Sequence, residues 1–459
     1  MLYEKSIFIF RRDLRLQDNT GLIAAVKNSK KVILVFIFDN LQVTAKNNYL
    51  SKNALQFMLE SLRDLEIAAK NAQGKIYFFS GKTYIQVINN LIIQVKPDAI
   101  FTNQDYTPFS LQRDAQISAL CKKNQIAFCQ YQDLLLLDPD HVKTKTGKIY
   151  QVFTAFYKNA QLVPVVEPNL KIKFSESCFE IKPIAESIKL DDIYQDLVKT
   201  SNLDLVTNGG ATIANKIAKN IIKFKNYVDF RDFPAQLTTH LSAHLKFGTI
   251  SIRVIFYEIA KILGLGHPLI RQLYWRDFFT YVAYHKPAVF GHAFNQRYDQ
   301  IKWDHNIEKF KLWCDGKTGF PIVDAGMREL NQTGFMHNRV RMVTASFLVK
   351  DLHLDWRLGE QYFAQKLADY DPAVNNGNWQ WVAGTGCDAQ PYFRTFNPWL
   401  QQKKFDPECL YIKRWIPELK LAKPSSIHNW FKKQDSNLCY PVPILDHSIA
   451  AKQAINLYR

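Results

Sequence analysis

The run DYDPAVNNGNWQW at 369–381 gathers the densest chemistry in the chain: two carboxylates, Asp369 and Asp371, an amide pair, Asn375 and Asn376, a glycine, and two tryptophans, Trp379 and Trp381. Burying such a run is costly, because every amide and carboxylate taken out of water needs a hydrogen-bond partner. A polar heteroaromatic ligand would supply those partners. A closed network of side chains capped by the two rings would supply them equally well. Two properties of the whole chain bear on the choice. Lysine and arginine number 59 against 42 acids, a net charge of +17, with a sequence pI near 9.3. That balance favours a polyanionic partner, although an anionic membrane surface or simple solubility also accounts for it. Aromatic residues make up 14% of the chain, nine of them tryptophan, and flat rings among positive charges suit a surface that holds phosphates and stacks bases.

The elements that must position these residues divide the 459-residue chain in three. Up to about residue 138, apolar runs at 6–10, 31–39, 75–79, 99–102 and 126–130 alternate with amphipathic stretches at 51–73, 83–95 and 110–124, led by caps at Ser51, Thr83 and Ser110. This alternation predicts an α/β domain with a doubly wound parallel sheet. Neither a G-x-G-x-x-G fingerprint nor a P-loop follows the first run, so a dinucleotide on this sheet is not expected. Residues 139–205 carry prolines at 139, 164, 168 and 183 and read as a connector that wraps rather than folds alone. From 206 to 459 the pattern is helix after helix. The seven cysteines lack paired short spacings, so no disulfide framework and no structural metal are expected. No apolar run is long enough to span a membrane and the first residues do not read as a secretory signal, which predicts a cytoplasmic protein.

The 369–381 run and the AGTGCDAQPYFRTFNP that follows it, taken with TGFPIVDAGMRELNQTGFMHNRVRMVTASFLVKDLHLDWRLGEQYF at 318–363, resemble the photolyase and cryptochrome family. Within it they are most similar to the class I branch, which repairs cyclobutane pyrimidine dimers. The resemblance extends from RRDLRLQDN at 11–19 to FNP at 396–398. It implies a helical domain that seats flavin adenine dinucleotide, active when reduced, with Asn375 facing flavin N5. Asp369 and Asp371 are then expected to hold the ring edge and pair with Arg341, with Tyr370, Tyr227 and Asn338 nearby. Thr238, Thr239, His240, Leu241 and Ser242 match a phosphate-cradling run. The Thr238 and Ser242 hydroxyls would lie one helical turn apart, where helix-start amides favour an anion; a plain threonine cap is the competing reading. Trp303, Trp356 and Trp379 match an electron-hopping chain from surface to flavin, although buried aromatics serve core packing more often than conduction.

For the substrate, the resemblance implies UV-damaged DNA with the dimer flipped out of the stack. Gln272, Trp275, Arg276, Asn338, Arg339, Met342, Trp381 and Gln401 match the lesion pocket and its rim, and Arg231 and Arg339 are expected to hold phosphates. Departures matter here. Dimer-repairing relatives carry glutamate at the place of Gln272, whereas glutamine at that place is found in 6-4 photolyases. The histidine pair those enzymes need is replaced by Asn338 and Met342, which favours dimer repair. A light sensor without repair is the rival of another class. For the second, antenna chromophore of the N-terminal domain, Phe109 and Ser110 stand where pterin-binding members carry a carboxylate. A folate is therefore not expected, and another flavin-like molecule or none remains. A monomer is expected.

Overall fold

The computed structural model describes residues 2–171, 174 and 178–458. Five parallel strands, β1 (Tyr3–Phe10), β2 (Ser29–Ile37), β3 (Ile76–Phe79), β4 (Ala99–Asn103) and β5 (Ala127–Tyr131), form one sheet in the order β3-β2-β1-β4-β5. Ile7 pairs with Ile33 of β2 and Ile100 of β4, and Phe8 with Leu34 and Phe101. The strands β1 to β4 are largely buried on both faces, which is why they read as continuous apolar runs rather than as alternation, while the edge strand β5 is half-buried. The chain moves outward from β1 to β3 and then returns to the other side of β1. Its order reverses between β1 and β4, the place where open α/β sheets bind ligands.

The expected doubly wound sheet is therefore present, with small differences at helix starts. Ser51 caps the helix Lys52–Asn71, its side chain accepting from the Ala54 amide, and Thr83 forms a reciprocal capping box with Gln86 at the start of Tyr84–Val95. Ser110, however, is not a cap. The helix Pro108–Lys123 begins earlier, with Thr107 accepting from the Ser110 amide and Pro108 in the first turn, where its missing N–H costs nothing.

RRDLRLQDN is an internal fastening. Arg15 meets Asp133 at 2.6 Å and donates to the Gly248 carbonyl at 3.1 Å, while Arg253 meets both Asp18 and Asp133 at 2.9 Å. Burial pushes the Asp133 carboxyl up, but Arg15 and Arg253 more than reverse this and hold it down to about 2. Arg12 donates to the Lys246 carbonyl at 3.1 Å. A Cβ on Gly248 would stand 2.2 Å from the Arg12 carbonyl oxygen, so only glycine allows this approach.

These long-range ties set the packing. One compact unit comprises the residues up to Leu203 with Thr207–Lys225 and Thr239–Pro287; the other comprises Asp204–Val206, Asn226–Thr238 and the chain from Ala288. The packing division thus falls elsewhere than at 138 and 206: Arg12 ties the helix Leu241–Phe247 through the Lys246 carbonyl, Arg253 ties Ile252–Leu263 through Asp18 and Asp133, and Asp277 of Pro268–His285 accepts from the Leu136 amide at 2.7 Å. The stretch expected as a connector packs with the sheet too. It contains the helices Phe153–Ala160 and Leu190–Leu197 and bridges β2 through Phe179, while 172–173 and 175–177 lie outside the described residues. The second unit is helical around a core that includes Trp303, Trp313, Trp356, Trp379, Trp399 and Trp430.

Candidate functional site

In the second unit the 369–381 run folds as a capped helix. Asp371 accepts from the amides of Ala373 and Val374, Pro372 opens the first turn, and Pro372–Ala383 follows. Asn375, Asn376, Trp379 and Gln380 then recur three and four residues apart and share the buried face. Their amides do different work. Asn376 donates to the Val289 carbonyl at 3.1 Å, and Gln380 donates to Val289, His292 and Asn376, which staples the helix to the preceding loop. Asn375 donates both amide hydrogens to one neighbour, the Glu360 carbonyl and carboxylate, each at 3.0 Å. Among the described residues no hydrogen bond reaches its Oδ1.

Arg341 meets Asp369 at 2.9 and 3.2 Å and donates its Nε to the Met336 carbonyl. Asp371 accepts from the amides that open its helix, and Arg341 pairs with Asp369. Tyr370 and Trp381 pack half-buried against the core.

Trp303, Trp356 and Trp379 lie in one hydrophobic core. Trp379 needs Gly359, where a Cβ would fall 2.2 Å from its Cη2. Its ring neighbours are Phe363 at 4.9 Å and Trp313 at 6.2 Å. Trp356 opens its helix behind the cap Asp355, with the Arg357 guanidinium 4.9 Å from its ring. Trp303 is 8% exposed, lies edge-on to Tyr458 at 6.0 Å, and keeps Nε1 buried without a hydrogen bond among the described residues.

The helix Asn338–Ser346 carries the next group. His337 caps it, accepting from the Arg339 amide. Asn338 is exposed, and its amide lies 3.7 Å from the Met342 sulfur one turn on. Arg339 meets Asp232 at 2.7 Å and lies 4.4 Å over the Phe405 ring. Arg231 is half-exposed beside Asp232, with its guanidinium 5.9 Å from the Tyr227 ring. Gln401 sits on Pro398–Phe405, with its Oε1 buried and without a partner among the described residues.

The first unit holds the others. The helix after TTHLS is Leu241–Phe247, and its cap is His240 in the left-handed region at φ 52°. Thr238 precedes that helix, so the expected pairing of Thr238 and Ser242 hydroxyls over one turn does not form. Thr239 instead takes the Leu241 amide at 3.4 Å, and Ser242 is exposed. On Pro268–His285, Gln272 is half-exposed. Trp275 stacks one face on Phe153 at 3.6 Å and 9°. The Arg276 guanidinium braces the Leu134 and Leu245 carbonyls at 2.8 and 3.2 Å. Next to it, burial pushes the Asp277 carboxyl up to about 7.

Glu360, Gly359, Trp313, Phe153 and Asp232 were missed by reading the sequence. Each acts through a partner distant in sequence, and only Asp232, adjacent to Arg231, stood beside a residue already chosen. Among the described residues no group of three or more histidine, cysteine or acidic side chains is placed to hold a metal, and no helix is long and apolar enough to cross a membrane.

Known proteins agree with this arrangement over its full length. Residues 6–169 match the family described as DNA photolyase, and residues 269–459 match the FAD binding domain of DNA photolyase. The chain is similar to the deoxyribodipyrimidine photo-lyase of Alkalihalophilus pseudofirmus, 34% identical over 477 residues that cover 98% of this chain and 97% of that protein. Among solved structures it is similar to an archaeal photolyase from Sulfolobus tokodaii described with two FAD molecules, with 42% identity, 99% of each chain covered and a TM-score of 0.88. It is also similar to a bacterial class III photolyase from Agrobacterium tumefaciens, with 32% identity, 100% of this chain and 98% of that one covered, and a TM-score of 0.90. Matches of this identity along nearly the entire length, on the fold and helical site described above, establish that the chain belongs to the photolyase and cryptochrome family.

Proposed function

We propose that this chain is a light-driven DNA repair lyase that binds UV-damaged DNA and splits cyclobutane pyrimidine dimers with reduced FAD. The observation that carries the reading is the posture of Asn375. Both its hydrogens are spent on Glu360, so its carbonyl oxygen is the group left to face a ligand. A reduced flavin presents an N–H donor at N5, and a neutral amide oxygen accepts from it without adding a competing charge. The donor set therefore fits the group. Reduced FAD, when bound, supplies the photoexcited electron that opens the cyclobutane ring and takes that electron back, so the reaction is redox-neutral.

The remaining residues bind, orient and exclude water. Asp369, fixed by Arg341, and Tyr370 and Asp371 are assigned to the flavin edge, with Tyr227, Thr238, Thr239 and Ser242 toward its phosphates. Asn338 and Gln272 are hydrogen-bond donors for base carbonyls, while Trp381, Met342 and the face of Trp275 not covered by Phe153 supply apolar surface. Arg231, Arg339 and Gln401 hold the DNA. We place the chain with the class I branch on the strength of its C-terminal runs. A second flavin-like chromophore in the first unit is supported by the Sulfolobus tokodaii relative and by the reversal of strand order between β1 and β4. Denaturing the purified protein is then expected to release two flavins per chain; one would leave the first unit without its own.

The direct test mixes reduced protein with oligonucleotides carrying either a cyclobutane dimer or a 6-4 product under blue light. Restored thymine absorbance is expected from the dimer alone. Recovery only from the 6-4 product would make Gln272 the mark of that activity, and recovery from neither, with flavin bound, would favour a sensor.

A further inference from the structure

Two arginines assigned above to phosphates are joined through an acid with no role so far. The short helical turn Tyr227–Phe230 ends on Arg231, and the next residue, Asp232, sends Oδ1 to within 2.7 Å of Arg339 Nη2 and 3.9 Å of Arg231 Nε. Phe405 lies beneath the Arg339 guanidinium at 4.4 Å and also packs edge-on against Phe233 at 6.2 Å. Arg339 is thereby held by an acid on one edge and a ring on one face. Its Nε is buried without a partner, and its Nη1 makes no hydrogen bond among the described residues.

We propose that Asp232 is a positioning residue that pre-organises Arg339, beside Arg231, for the DNA phosphates at a lesion, and so sets discrimination between damaged and undamaged DNA. The inference rests on the repair reading above. An arginine already fixed on a ring and an acid loses little rotamer freedom when a phosphate arrives, so a phosphate delivered to that point by a flipped lesion is rewarded. Meanwhile one carboxylate between two guanidiniums leaves a single net positive charge. Undamaged backbone, which need not reach that point, therefore feels a weaker field than two free arginines would exert.

The test measures binding of the flavin-loaded protein to duplexes with and without a cyclobutane dimer over a range of salt. For D232N we expect tighter binding to undamaged DNA, with the log–log salt slope steeper by about one, and a fall of about tenfold in the preference for dimer DNA. D232E should recover most of that preference. An acid that merely ties its segment to the helix Asn338–Ser346 would weaken both affinities in parallel, and that result would overturn the proposal. So would an unchanged ratio and slope in a folded D232N. Should D232N not fold, F405L removes the ring under Arg339 and leaves the acid in place; it is expected to lower the same ratio, and no change would again overturn the proposal. If the unaltered protein shows no preference for dimer DNA, the repair reading fails instead.

Discussion

Asn375 shows how a residue's partners reveal what it has left to offer. Its type and place in the run were legible in the sequence, but its orientation depends on Glu360, fifteen residues earlier, and no local pattern announces that contact. Arg341 and Asp369 repeat the lesson across a separation of 28 residues. The tryptophans could be located but not distinguished from core by spacing, since all three are both buried and aromatic. Trp303 offers a clean test at this scale. Among the described residues its Nε1 has no partner to lose, so Trp303→Phe removes the oxidisable indole without stranding a hydrogen-bond acceptor there. Photoreduction of oxidised flavin by this variant is expected to fall to a small fraction, followed by flavin absorbance under blue light with an added thiol, while chemically reduced protein still repairs dimers. Loss of both activities would show that the ring serves the fold and not electron transfer.

At the scale of elements, signals that are local survived and signals that need a partner did not. Strands covered on both faces must be apolar throughout, so short apolar runs marked β1 to β4. Ser51 and Thr83 could be read as caps because the capped amide lies three residues on. Ser110 misled because Pro108 already stood in the first helical position, which puts the cap at Thr107. The TTHLS run misled because His240 turns left-handed and delays the helix to Leu241. Asp133 gives this level its prediction. It is the shared counter-ion of Arg15 and Arg253, and Asp133→Asn would leave the buried Arg15 guanidinium without its charge partner and Arg253 with Asp18 alone, at a cost of about 3–5 kcal/mol in urea unfolding. The sign with pH follows from a carboxyl held down to about 2 against an ordinary 3.8. Its stabilisation is fully present above the ordinary value and is lost as pH falls through about 2. A variant whose stability matches the parent at pH 7 would show that the network is not a fastening.

For the whole molecule, composition suggests one division of the chain, whereas packing follows long-range hydrogen bonds and ion pairs. Arg12, Arg15 and Asp18 bind helices more than 220 residues away, and so draw residues 239–287 to the sheet despite their uniformly helical pattern. Periodicity cannot report such a tie, because it records which face is buried and not against what. The family was legible from long motifs, and the sheet and the helical character of the remainder from apolar patterning; the unit boundaries and the partners of the site residues were not. The account of function reduces to one claim, that the electron lent to the dimer returns. Single light flashes given to fully reduced protein saturated with dimer-containing DNA test it most directly, with the thymine and flavin bands followed together. Each flash should restore thymine absorbance and leave the flavin band of the reduced form unchanged at the end of the cycle. Flavin left oxidised in proportion to the dimers split, or flavin excitation with no thymine recovered, would contradict it.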